Sequence, residues 1–326
     1  MRLFSRRQTV LIRRMAEDDI DDVREVGRRA WSDLYSREMQ QTFEVPRRSK
    51  ENILFYLDKE PDGCMVAESG GRVVGDVFCH IWGNVGWFGP VEVLPSQQNN
   101  GIGKQLIKSA FDFLKSKGCE TIGLETMPEV VKNVHLYTSM GCVPDRATYL
   151  FDKTIEDWRY EEGREKGDTT IEDFDTIGFS DALKAVSAIS LASHPGLDYS
   201  KEVLYSMKHQ TGQTFFVMQD KRAVGFALVY TYSTSDGTNN ASIRIMLIDR
   251  EHSTPVIGRS LLAACENYAS EQGRDRIHAR LYTGNFAAYT LLKDCGYQLR
   301  GTNLRMLQTG NIEEDKRIYH LSSWAG

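Results

Sequence analysis

Six consecutive residues, Gln98, Asn99, Asn100, Gly101, Ile102 and Gly103, have the makeup of a phosphate-holding turn. They follow an apolar stretch, Val91, Glu92, Val93 and Leu94, and lead into an amphipathic run over 104–117. A glycine-containing turn between a strand and a helix aims several backbone N–H groups at one point, and the helix start adds its positive dipole end there. Spacing excludes two familiar phosphate loops. A dinucleotide fingerprint would need a third Gly where Leu106 stands, and a Walker loop needs Ser or Thr where Gln105 follows Lys104.

The elements that must position this turn can be read around it. The sequence predicts a short strand at 10–13, then a helix with apolar positions Ile20, Val23, Val26 and Ala30. A second helix is expected over about 49–57, and strands at about 64–68, 72–81 and 87–94. The helix after the turn would bury Leu106, Ile107, Ala110, Phe111 and Leu114 and stop at Gly118. A strand at 121–125, a helix at about 130–140 and strands near 142–144 and 148–152 would complete the unit.

The unit then repeats. Gly103, Gly118 and Gly141 each have a Gly 155 positions later, at Gly258, Gly273 and Gly296. The same offset pairs Lys104 with Arg259, Leu106 with Leu261, Ile107 with Leu262 and Leu136 with Leu291. Three matched glycines with the apolar pattern between them indicate two copies of one domain. The expected division is 1–153, a charged linker at 154–169, and 170–326. Strands are expected in the second copy at about 214–218, 223–232 and 243–249, with helices over 258–272 and 287–295.

The turn, with the pattern Gln-x-x-Gly-x-Gly, resembles the acetyl-CoA pyrophosphate loop of the GNAT acyltransferase superfamily. Residues 136–142, Leu-Tyr-Thr-Ser-Met-Gly-Cys, resemble that family's Leu-Tyr-x-x-x-Gly-Phe motif, with Cys142 where Phe is usual. The element order also matches the GNAT fold: an α/β (α+β) protein of two GNAT-like domains, each a mixed, mostly antiparallel sheet flanked by helices. The resemblance implies an N-acetyltransferase that uses acetyl-CoA and a primary amine acceptor, by direct attack in a ternary complex. It implies that Tyr137 protonates the leaving thiolate. A phenol, with a pKa near ~10, can donate at neutral pH. Glu125, twelve residues before Tyr137, is the favoured candidate for general base, and Glu92 competes with it. The backbone of Val91, Glu92 and Val93 would line the pantetheine and acetyl carbonyl, and residues Asn99 to Lys104 would hold the pyrophosphate.

Departures from the family pattern sharpen the expectations. The family usually has Arg or Gln at the first position and often basic residues next; with Gln98, Asn99 and Asn100 here, backbone N–H groups must do more, with Lys104 and Lys108 nearby, and Asn100 suits a left-handed turn position. The family's cofactor-contacting Asn is replaced by Val130, and Asn133, four residues before Tyr137, is the nearest substitute. In the second copy Gly101 becomes Val256, Gln98 becomes Ser253, Pro255 enters the loop, Tyr137 becomes Leu292 and Glu125 becomes Arg280. That copy is expected to be catalytically silent. A second reading is a sensor that keeps the acyl-CoA pocket without turnover.

Composition bounds the rest. With 326 residues, 41% hydrophobic and 26% charged, the chain reads as a globular protein long enough for two domains. A net charge of −5 argues against a nucleic-acid binder, and no apolar run reaches the ~20 residues of a membrane span. The basic start lacks the apolar segment of a secretory signal. Six scattered cysteines without a Cys-x-x-Cys pair read as buried thiols of a reducing compartment, so a cytoplasmic setting without a structural metal is expected.

Overall fold

The computed structural model describes residues 9–155, 169–312 and 315–324; the charged linker expected between the copies lies, over 156–168, outside the described residues. The first half comprises strand β1 (Val10–Arg14), helices α1 (Ile20–Met39) and α2 (Lys50–Lys59), and strands β2 (Cys64–Ser69), β3 (Arg72–Trp82) and β4 (Val85–Val93). Helix α3 (Ile102–Ser116), strand β5 (Thr121–Thr126), helix α4 (Val131–Ser139) and strand β6 (Val143–Thr154) complete it. The second half repeats the order: β7 (Thr169–Asp173), α5 (Phe174–Ile177), α6 (Phe179–Ser193), α7 (Ser200–His209), β8 (Gly212–Gln219), β9 (Arg222–Tyr230), β10 (Asn240–Ile248), α8 (Pro255–Glu271), β11 (Arg276–Tyr282), α9 (Phe286–Asp294), β12 (Gln298–Thr309) and a last short strand, β13 (His320–Ser322).

Periodicity explains most of these elements. Helix α3 buries Leu106, Ile107, Ala110, Phe111 and Leu114 on one stripe, as expected, and the chain reverses at Gly118, whose φ of 79° suits a residue without Cβ. Helix α1 runs further than its first apolar positions indicate, to Met39, because Trp31, Leu34 and Tyr35 continue its inward face.

The strands form one continuous sheet in the order β1-β2-β3-β4-β5-β12-β6-β11-β10-β9-β8-β7, with β13 on β10. This order corrects one expectation. The segment after α4 is one strand, β6, and it does not close its own half: it lies between β12 and β11, antiparallel to both. Its counterpart β12, offset by 155 residues, closes the first half instead by pairing with β5. Each half donates the strand after its last helix, β6 or β12, to the other.

The exchange fuses the halves. On one face α1, α2, α6 and α7 share a single core containing Ile53, Phe55, Trp82, Val186, Val203 and Trp324. On the other, α3 covers Val77, Phe88 and Ile122, while α8 and α9 cover Ile243, Ile277 and Leu281 separately. A buried polar knot also crosses between the halves. Glu202 accepts from Arg244 Nε (2.8 Å), Tyr230 Oη (2.7 Å) and Trp82 Nε1 (2.9 Å), and pairs with Lys59. Burial alone would raise the Glu202 carboxyl, but Arg244 and Lys59 hold it well below the usual carboxylate range.

Candidate active site

Strands β4 and β5 run parallel and pair only at Val85–Thr121, Gly86–Ile122 and Trp87–Gly123. Beyond Trp87 they part. Among the described residues, 88–93 have β3 alone as strand partner, which leaves the backbone of Val91, Glu92 and Val93 on an open edge. The gap widens into a cleft of about 940 Å³ whose walls include that edge, helix α1, the turn before α3, and helix α4.

The turn forms the far end of the cleft. Gly101 caps α3 with φ 80° and ψ 4°, and no side chain caps this helix start, so its first N–H groups remain available. A Cβ on Gly101 would meet nothing within 4 Å, and one on Gly103 only Leu136 at 3.9 Å, so the space over the turn is open. Gln98, Asn99, Gly101, Ile102, Gly103 and Lys104 face the cleft. Two expectations for this loop change. Asn99, not Asn100, takes the left-handed conformation (φ 63°), and Asn100 folds its amide back onto the Gln97 carbonyl at 3.2 Å, outside the cleft wall. Lys108 is an exposed partner of Asp112 at 2.6 Å. Positive charge arrives instead from α4, where Lys132 donates to Gln98 Oε1 at 3.0 Å while Gln98 Nε2 braces the Val93 carbonyl at 3.1 Å.

Helix α4 also brings Asn133 and Tyr137 to the cleft, one turn apart. The Tyr137 ring packs edge-on against Phe88, with centroids 6.2 Å apart, and the side chain is 9% exposed. Burial, with Cys142 beside it, pushes the phenol well above its ordinary pKa, so it stays protonated throughout the neutral range.

The two carboxylates sit in different surroundings. Glu125 lies at the sheet centre, where the exchanged strands meet it. Its oxygens accept from Thr148 Oγ1 (2.9 Å), Arg305 Nη2 (3.3 Å) and Asn303 Nδ2 (3.5 Å), and Arg280 Nη1 lies 3.9 Å away. Arg280, Asn303 and Arg305 all come from the second half. Glu92, on β4, accepts from Trp31 Nε1 at 2.6 Å and lies 3.5 Å from Arg48, leaving its second oxygen without a hydrogen-bond partner.

That oxygen lies against Gly27 of α1. A Cβ there would come within 2.7 Å of it, so a mid-helix glycine is what lets the helix cross the carboxylate. Asp76, opposite Glu92 on β3, is fully buried, and burial with the neighbouring Glu92 carboxylate holds its carboxyl well above the usual range. Sequence reasoning missed Trp31, Arg48 and Asp76. Gly27, inside an otherwise amphipathic helix, was the available signal of a close approach.

The equivalent gap in the second half is filled. Strands β10 and β11 pair only over 240–242 and 276–278, and β13 then pairs with β10 at Ile245–Ser322, Met246–Leu321 and Leu247–His320. The start of α8 is also occupied. Pro255 has no N–H, Thr254 Oγ1 caps the Ile257 N–H at 3.4 Å, and Ser253 Oγ donates to the Ile248 and Asp249 carbonyls. Leu292, the counterpart of Tyr137, is core, and Tyr289 stacks among Tyr149, Phe151 and Phe286.

Comparison with known proteins bears on both halves. The family model described as "Acetyltransferase (GNAT) family" matches residues 27–142, and one described as "Acetyltransferase (GNAT) domain" matches 174–318. An uncharacterized N-acetyltransferase of Archaeoglobus fulgidus is 30% identical over 113 residues, covering 31% of this chain and 71% of that protein. Among solved structures, a putative acetyltransferase from Pyrococcus horikoshii superposes with a TM-score of 0.70 at 19% identity, covering 100% of this chain and 98% of the other. A tandem GNAT protein from the clavulanic acid biosynthesis pathway superposes with a TM-score of 0.60 at 16% identity, covering 94% of this chain and 100% of that one. At these identities the two structures are similar in fold. Among the described residues no helix is long and apolar enough to cross a membrane.

Proposed function

The chain belongs to the GNAT acetyltransferase family, and we propose that it moves an acetyl group from acetyl-CoA to a primary amine by direct attack in a ternary complex. The observation that carries this reading is the open β4–β5 gap, which leads from an uncapped helix start to a protonated tyrosine. The residues present fit acetyl-CoA. The free N–H groups at Ile102 to Lys104 and the Lys132 ammonium suit a pyrophosphate, and the unpaired edge of Val91 to Val93 suits the amides of a pantetheine arm.

Amide formation needs the amine to lose a proton and the leaving sulfur to gain one. Tyr137 is assigned the second task, because its hydroxyl stays protonated and lies beside the gap. The base role goes to Glu92 acting through water. Its second oxygen has no hydrogen-bond partner among the described residues, whereas accepting a proton at Glu125 would disturb bonds that hold the exchanged strands. A backbone N–H of the β4 edge would polarise the thioester carbonyl. Attack in one step is favoured because Cys142, beside Tyr137, is buried and its thiol is pushed up to about 11, which leaves little thiolate to form an acyl-enzyme.

The second half is assigned a supporting role. The chemistry would be confined to the first, in a cytoplasmic protein divided near residues 153 and 170. Incubation with acetyl-CoA and a panel of primary amines, read as free thiol and N-acetyl product, tests the reading. Amine-dependent thiol release is expected. Tight acetyl-CoA binding with no release for any amine would mean a sensor instead.

A further inference from the structure

The cleft lined by Tyr137 is also lined by Glu125 and, from the second half, by Arg280 and Asn303. There Glu125, Arg280 and Arg305 lie together, one carboxylate against two guanidinium groups. Arg305 is fully buried, bonded to Glu125 and stacked over the rings of Trp324 (4.6 Å) and Trp87 (5.4 Å), so its place is structural. Arg280 differs. It lines the cleft, its side chain is 30% exposed, and its Nη1 is buried with no hydrogen-bond partner. Its nearest acid, 3.9 Å away, is the Glu125 already engaged by Arg305. Burial pulls the Arg280 guanidinium below its ordinary pKa, but an arginine stays charged at neutral pH. The three groups thus sum to one surplus positive charge, with Arg280 and Glu125 on the cleft wall.

A partly buried cation whose neighbouring carboxylate is shared with a second arginine is incompletely compensated, and a guanidinium is shaped to take a planar carboxylate on two parallel N–H groups. Tyr35 of α1 and the exposed Glu129 line the same cleft. We propose that the acceptor is an amine that also carries a carboxylate, and that Arg280 binds this carboxylate and turns the amine toward the thioester. The second half, silent in chemistry, would then set acceptor specificity. This inference rests on the acetyltransfer reading above.

The test compares acceptors matched in length: an ω-amino acid, the alkylamine without its carboxylate, and the corresponding aminophosphonate. Each is assayed with the intact protein, with Arg280→Gln and with Arg280→Lys. In parallel, calorimetry measures binding of each acceptor in the presence of CoA. The amino acid should exceed the alkylamine by at least ~30-fold in kcat/KM and bind correspondingly tighter. Arg280→Gln should bring both ratios to within about threefold of unity, Arg280→Lys should restore part of them, and thermal unfolding of both variants should stay near wild type.

Turnover of alkylamine and amino acid alike would overturn the inference and leave the enzyme reading standing. Preference for the phosphonate would overturn the carboxylate assignment. Carboxylate-dependent, Arg280-dependent binding without turnover would support the inference and remove the enzyme reading.

Discussion

The gap between β4 and β5 and the gap between β10 and β11 are the same feature built twice, and only one is open. In the first half the strands part after Trp87 and no described strand enters between them; in the second, β13 pairs with β10 in the corresponding space. At the helix starts, Gly101 leaves the N–H groups of α3 uncapped, whereas Pro255 and Thr254 remove or bond those of α8. A fold that leaves backbone groups unpaired needs a ligand or water to satisfy them. In the second half β13 and the Thr254 cap take up such groups. A binding site here is unmet hydrogen-bonding capacity that one copy has kept and the other has closed.

The largest predicted effect concerns Glu92. Glu92→Gln should lower kcat by ~10³-fold, within the range for loss of a general base, with acetyl-CoA affinity near wild type. A loss under tenfold in steady-state kinetics would return the base role to Glu125. Next is the turn. Gly101→Val forces a β-branched residue to φ 80° and should weaken acetyl-CoA binding by more than ~10²-fold in calorimetry. The reverse change, Val256→Gly, should create no second site, because β13 still fills the gap.

Tyr137→Phe should slow transfer by ~10²-fold with little change in acetyl-CoA affinity. Because burial raises the Tyr137 pKa, any loss of activity from its ionisation in the wild type must fall above the ~10 of a free phenol. An alkaline limb below that value that vanishes in Tyr137→Phe would contradict the assignment. The smallest effect on activity is expected at β13. Leu321→Ala, at a fully buried position, should cost about 2–4 kcal/mol in denaturant unfolding while leaving kcat/KM within a few-fold.

Local features were legible in the sequence and long-range ones were not. Residues 98–103 could be read because a turn's conformation and the helix after it are set within about twenty residues. The 155-residue repeat gave two halves, because repetition needs no knowledge of contacts. It could not reveal that β6 and β12 change places, since a swapped and an unswapped strand present the same apolar alternation and differ only in which neighbour they meet. Glu125 shows the consequence. Its spacing from Tyr137 is local, but Arg305 and Arg280, which decide what that carboxylate can do, reach it only through the exchange. Similarly, Arg280 appears in the sequence as the lost counterpart of a candidate base, and in the fold as a cation on the wall of the other half's cleft. The segment at β13 is three residues long, too short for any periodicity to mark it as the element that closes a site.

The central claim is that one half binds the acyl donor and the other has closed its own site. Titration calorimetry of the full chain with acetyl-CoA tests it most directly, run beside Gly101→Val and Val256→Gly. The account predicts one acetyl-CoA per chain, lost in Gly101→Val and unchanged in Val256→Gly. Two equivalents per chain, or one that survives Gly101→Val with undiminished affinity, would contradict it.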